Sequence, residues 1–238
     1  MITQPILILQ PDHRHPPGYL GDWLARRGLQ TMAVALRADT TALPRAIRQA
    51  HRTPLVVLGA APAADRPRWW ASARDTLREA HAAGAPILAL GSGAELVTEA
   101  LGGTLSPTPN PVRGWFPLAL HPQAARAPWL NALGATAPAA FLWQTHAVQP
   151  PCGAVTLYSG AHVRCQAFAA GSALVLCFHP HLNLADYDEW LGRSAQWAAP
   201  SATVQTAVEL AACGKTRIDA QRRFADRCFD LWLAGQPV

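Results

Sequence analysis

From Ile6 to Gly103 the chain alternates short apolar runs with amphipathic stretches that end on glycine. This order constrains the fold more than any other feature. Ile6-Leu-Ile-Leu9 reads as a buried strand, Gly18 to Arg27 as a helix stopped by Gly28, and Gln30 to Leu36 as the next strand. Thr41 to His51 is helical in pattern. Pro54-Leu-Val-Val-Leu58 is a third strand, ending at Gly59. Arg68 to Ala83 is a helix with apolar and charged faces, stopped by Gly84. Pro86-Ile-Leu-Ala-Leu90 is a fourth strand, and Ala94 to Leu101 a helix stopped by Gly102-Gly103. Strands this apolar must be covered on both faces. The alternation therefore predicts an α/β fold with a mainly parallel central sheet flanked by helices.

The texture changes near Pro107. Gly114 to Leu120, Ala154 to Ser159, Arg164 to Ala169 and Ala173 to Phe178 read as strands joined by short turns. Asp186 to Trp197 is expected to be a helix, and Thr203 to Ala234 to be helical with a break near Gly214. In that last stretch Val204, Val208 and Ala211, then Phe224, Cys228, Leu231 and Trp232, fall at helical spacings, a face suited to packing on the sheet. Trp69-Trp70 and Trp115 lie near element ends, where either a core position or an aromatic patch fits. No linker, low-complexity segment or internal repeat divides residues 1–238, so a single domain is expected.

Composition excludes several classes. A chain of 238 residues that is 50% hydrophobic can bury a sizeable core and is not of disordered composition. No apolar run nears the roughly 18 residues that a membrane span needs. Met1 to Leu9 lacks the basic start and cleavage site of a secretory leader. Cys152, Cys165, Cys177, Cys213 and Cys228 are odd in number and widely spaced, without a CxxC pair. That argues against a disulfide framework or a structural zinc site and points to a reducing, cytoplasmic compartment. The net charge of +5 comes from scattered arginines, with Lys215 the only lysine. Without a basic stripe interleaved with aromatics, no nucleic-acid partner is expected, and no membrane partner either.

The most informative stretch is Pro86 to Gly103, where a buried strand runs into a helix through Gly91-Ser92-Gly93. Small residues suit a sharp turn with the helix packed close to the strand. Such an elbow presents its central residue at the carboxyl edge of the sheet, beside helix N-terminal N–H groups, where open α/β sheets bind ligands.

Here the chain resembles the class I glutamine amidotransferases, the free-standing glutamine-amidotransferase-like proteins in particular, over about Ile6 to Leu191. The early segment resembles Ile6-Leu-Ile-Leu-Gln with Pro16-Pro-Gly-Tyr-Leu-Gly-Asp-Trp-Leu, and the glycine loop resembles Leu55-Val-Val-Leu-Gly-Ala-Ala-Pro. The family's elbow, Gly-x-Cys-x-Gly-x-Gln, falls on Ala89-Leu-Gly-Ser-Gly-Ala-Glu95. Trp-His-x-Asp falls on Trp143-Gln-Thr-His146, Gln-Ala-Phe on Gln166-Ala-Phe168, and Phe-His-Pro-Glu on Phe178-His-Pro-His181. The resemblance implies the family's flavodoxin-like three-layer fold.

It does not imply the family's reaction, in which a cysteine attacks the glutamine amide, a histidine activates it and a glutamate orients the histidine. On the resemblance, the nucleophile position is Gly91, the base position His179 and the orienting position His181. The elbow glutamine is Glu95, and the downstream His and Asp are Gln144 and His146. Ala60 stands where a second glycine is usual. The expected protein is a glutamine amidotransferase-like chain that is not a glutaminase and serves as a ligand-binding or regulatory subunit. Its pocket would be lined by Gly59, Ala60, Gly91, Ser92, Gly93, Glu95, His146, His179 and His181. A partner protein such as a synthase is implied by the resemblance alone.

Two other readings place changed chemistry in the same pocket. In one, His146, His179 and His181 ligate a divalent transition metal, with His13 and His15 on a loop at the same sheet edge. In the other, Ser92 is a shifted nucleophile with His179 as its base, although Ser92 also suits the N-cap of the following helix. Alternation puts Cys177 on the side of its strand that carries His179, while a buried core thiol is the plainer role for it.

Overall fold

The computed structural model describes residues 5–11, 16–36, 53–59, 67–124, 139–192 and 199–234. In chain order the elements are β1 (Ile6–Gln10), α1 (Tyr19–Arg26), β2 (Thr31–Ala35), β3 (Leu55–Val57), α2 (Trp69–Ala82), β4 (Ile87–Leu90) and α3 (Gly93–Ala100). There follow β5 (Thr104–Phe116), β6 (Leu118–Leu120), β7 (Ala140–Gln149), β8 (Val155–Gly160), β9 (Ala167–Ala170), β10 (Ala173–Leu176), α4 (Leu184–Gly192) and α5 (Ala207–Leu233). Glycines 28, 84 and 102 close α1, α2 and α3 with positive φ of 64°, 79° and 87°, the conformation that stops a helix without strain.

The main sheet has eight strands in the order β2-β1-β3-β4-β10-β9-β8-β6. Pairing is parallel from β2 through β10 and antiparallel from β10 to β6. The β1, β3, β4 and β10 side chains are all buried, and alternation divides them between two cores. Ile6, Ile8, Val56, Leu88, Leu90, Leu174 and Leu176 face α1 and the second half of α5, meeting Trp23, Phe224, Phe229 and Trp232. Leu7, Leu9, Leu55, Val57, Ile87, Ala89 and Val175 face α2 and α3, meeting Trp69, Trp70, Leu77, Leu96 and Val97. A third cluster, Trp115, Phe141, Leu182, Tyr187, Leu210 and Ile218, joins the β5–β7 pair to α4 and the first half of α5.

Several sequence expectations need correction. The strand expected from Gly114 begins at Thr104, and β7 was not expected as a strand. Pro107, Pro109 and Pro111 read as breakers, yet they sit where the β5–β7 register jumps between Pro107 and Val112, so few ladder bonds are lost there. α5 runs unbroken through Gly214. A Cβ at Gly214 would overlap the Tyr187 ring, so this glycine serves close helix packing and not a break. The buried face of the first half of α5 is Leu210, Gly214, Ile218 and Gln221, while Val208 and Ala211 point to solvent. Trp69 and Trp70 are core residues, and Trp70 Nε1 donates to Glu99 at 2.7 Å. The helix expected over Thr41 to His51, and the end of the one expected to reach Trp197, lie outside the described residues. Among the described residues no helix is long and apolar enough to cross a membrane.

Candidate functional site

The elbow between β4 and α3 is built from glycines that each meet a neighbour. Gly91 has φ +58°, a left-handed conformation open to glycine at little cost. Its N–H points to the carbonyls of Leu176 and Phe178, both at 3.0 Å, which ties the elbow to the exit of β10. A Cβ on Gly93 would overlap the Val57 carbonyl, so α3 starts as near β3 as the backbone allows. Gly59 ends β3 beside Ser92, and a Cβ there would lie 3.1 Å from Ser92 Oγ. Ser92 holds the N-cap position of α3, but its backbone is already helical and its side chain makes no capping bond. Ala60, His13 and His15 lie outside the described residues.

The open side of Gly91 is filled by His179. A Cβ on Gly91 would overlap the imidazole Cε1 and lie 2.6 Å from Nδ1. The ring is held in place. The His179 N–H donates to the Phe141 carbonyl at 3.0 Å, and its own carbonyl accepts from Gln221 Nε2 at 2.8 Å. Gln221 Oε1 accepts from the Phe141 N–H at 3.0 Å, so one amide of α5 bridges β7 and the segment after β10. Around the imidazole stand Trp190 at 5.0 Å, His181 at 5.6 Å and Phe141 at 6.2 Å between ring centroids. Neither ring nitrogen makes a well-directed hydrogen bond. Burial, helped by the neighbouring His181, pushes the His179 pKa down to about 3, and the nearby Trp143 backbone opposes this only slightly. The ring is therefore neutral at physiological pH.

β7 separates the expected pocket residues. Alternation sends Phe141 and Trp143 to one face and Gln144, His146 and Val148 to the other. The first face packs on Trp190 and leads to His179. The second packs toward α3, where Val148 joins Leu96 and Val97. There His146 Nδ1 lies 3.8 Å from Glu95 Oε1, both side chains nearly buried. Gln144 and Gln166 exchange amide hydrogen bonds of 3.3 and 2.9 Å, and Gln144 Nε2 also donates to the Cys177 carbonyl at 3.1 Å. The His181 carbonyl accepts from the Tyr19 N–H at 2.8 Å, docking the start of α1 on the site.

The structure thus brings Gly91, Ser92, His179 and His181 to one corner and sets Glu95 with His146. It does not gather His146, His179 and His181 as a ligand set. Among the described residues no three His, Cys, Asp or Glu side chains form a group that could hold a metal ion. Cys177 is a core thiol whose pKa burial raises well above the usual value, and burial pushes Cys165 up to about 12. Neither thiol ionises near neutral pH. Sequence reasoning missed Gln221. Its one signal was a polar residue between Ile218 and Phe224 on an otherwise apolar helix face.

No family model matches the chain, and no curated protein matches it. Its fold does match solved structures. A glutamine amidotransferase from Methylobacillus flagellatus is similar with a TM-score of 0.83 at 23% identity, over 98% of this chain and 96% of that one. A glutamine amidotransferase from Thermotoga maritima is similar with a TM-score of 0.72 at 13% identity, over 96% and 97%. A GMP synthase subunit from Thermoplasma acidophilum is similar with a TM-score of 0.58 at 16% identity, over 95% and 94%. The chain has the class I glutamine amidotransferase fold.

Proposed function

We propose that this chain is a glutamine amidotransferase-like protein without glutaminase activity, acting as a ligand-binding or partner subunit through the pocket at the Gly91 elbow. The observation that carries this reading is the imidazole of His179 in the space that a side chain at position 91 would need. The family's reaction requires a thiolate at the elbow, and Gly91 offers no side-chain atom. The retained histidine is neutral, buried and packed among aromatic rings. A synthase as partner is supported by the likeness to the Thermoplasma GMP synthase subunit. The reading requires no cofactor.

The test is glutamate and ammonia release from glutamine by the purified protein. None above the blank is expected, and steady release overturns the proposal. Gly91→Cys alone is also expected to stay inactive, because the new sulfur and the His179 ring compete for one space. Two further outcomes would favour changed chemistry in the same pocket. One is labelling of Ser92 by a serine-directed acylating probe. The other is stoichiometric metal that is lost when His179→Ala and His181→Ala are combined.

A further inference from the structure

The aromatic face of β7 ends in a cation without a counter-ion. β5 sets Arg113 opposite Trp143, and the guanidinium carbon lies 4.9 Å from the centre of the Trp143 ring. The Arg113 backbone is fixed, its N–H donating to Thr203 at 2.8 Å and its carbonyl accepting from Gln205 at 3.0 Å. The side chain is partly buried, its Nε is enclosed without a hydrogen bond, and burial lowers its pKa. No carboxylate among the described residues pairs with it. Other arginines do pair: Arg26 with Asp226, Arg27 with Asp230, Arg74 and Arg78 with Asp75, Arg222 with Asp219. A cation drawn partly out of water ordinarily takes an anion, because lost hydration must be offset.

The guanidinium leads toward His179. Trp143 meets Trp190 at 4.9 Å, and Trp190 meets the imidazole at 5.0 Å. Trp143 and Trp190 are themselves partly exposed. One face therefore carries a cation, two indoles and a neutral imidazole whose nitrogens are unbonded. We propose that this face binds a small organic acid, with the carboxylate on Arg113 and the apolar body against Trp143 and Trp190. A single guanidinium beside a neutral histidine balances one negative charge, so a monoanionic carboxylate fits and a phosphate dianion does not. This inference rests on the ligand-binding reading of the pocket and gives that ligand a chemical class.

Titration calorimetry with benzoate, its neutral isostere benzamide, and inorganic phosphate tests it on the intact protein. Benzoate should bind, benzamide and phosphate at least about tenfold more weakly, and Arg113→Met should weaken benzoate by at least about tenfold. No benzoate binding, equal binding of benzamide, or unchanged binding by the variant overturns the proposal. If Arg113→Met does not fold, the Arg113 Nε–H resonance of the wild type, assigned by its absence in Arg113→Lys, replaces it. That resonance should move with benzoate and not with benzamide, and a still resonance overturns the proposal. Glutamine hydrolysis by the wild type would sink the proposed function and leave carboxylate binding standing. Failure of benzoate to bind would do the reverse.

Discussion

At Gly91 two constraints meet on one Cα. The backbone is left-handed, and the missing Cβ points into an imidazole that cannot easily retreat from Trp190 and Phe141. Gly91→Ala should therefore destabilise the protein by roughly 2–4 kcal/mol, the strain of φ adding to the overlap. The urea midpoint measures it, and a change within error would show that His179 moves aside freely. His179 carries its own signature. Its folded pKa, about 3, lies below the ordinary 6.5. Between those values the unfolded chain binds the proton and the folded protein does not. This contribution to stability is complete above pH 6.5 and is lost as pH falls toward 3. The urea midpoint should drop between about pH 7 and pH 4, and drop less in His179→Gln. Equal slopes would mean that other groups set the acid limit.

At the scale of elements, α5 does two jobs that a helix pattern alone does not separate. Its Gly214 lies against Tyr187, whose hydroxyl accepts from Trp115 Nε1 at 2.9 Å and donates to the Leu210 carbonyl at 2.9 Å. An exposed glycine in a helix usually gains about 1 kcal/mol on change to alanine. Here Gly214→Ala should lose roughly 1–3 kcal/mol, because the ring it meets is tied at its far end. A stabilised variant would show that α4 yields. Seven residues on, Gln221 satisfies both the Phe141 N–H and the His179 carbonyl. Gln221→Leu should destabilise by roughly 1–3 kcal/mol for each group left unpaired. It should also shift the His179 resonances, which a merely structural loss elsewhere would not.

At the scale of the molecule, the second half of α5 closes one face of the sheet. Phe229 meets Trp23 at 5.4 Å, and Phe224 meets Tyr158 at 5.4 Å and Phe178 at 6.0 Å. Ending the chain after Arg222 would strip these rings from the core. The truncated protein is expected to bind the dye ANS and to lose cooperative unfolding; a sharp thermal transition would show that the sheet stands without the helix. By contrast, Arg27 with Asp230 is a solvent-exposed pair whose removal should be nearly silent.

The sequence by itself determined the parallel half of the sheet and the elbow. A buried strand shows as a continuous apolar run, and a helix stop shows as a glycine that takes positive φ, both local facts of the chain. It also marked Gly91 and His179 as the pair to watch. What it could not carry was contact between distant segments. β7 stayed hidden because Trp143 and Gln144 alternate between an aromatic cluster and an amide pair and not between core and water. Gly214 looked like a break because its partner, Tyr187, belongs to another helix. Only the tertiary structure put the His179 ring into the space beside Gly91, separated His146 from His179 across a strand, and left Arg113 facing the site without an anion. Those are decided by packing among α4, α5 and the β5–β7 pair, a balance of burial and backbone satisfaction that no single stretch of residues encodes.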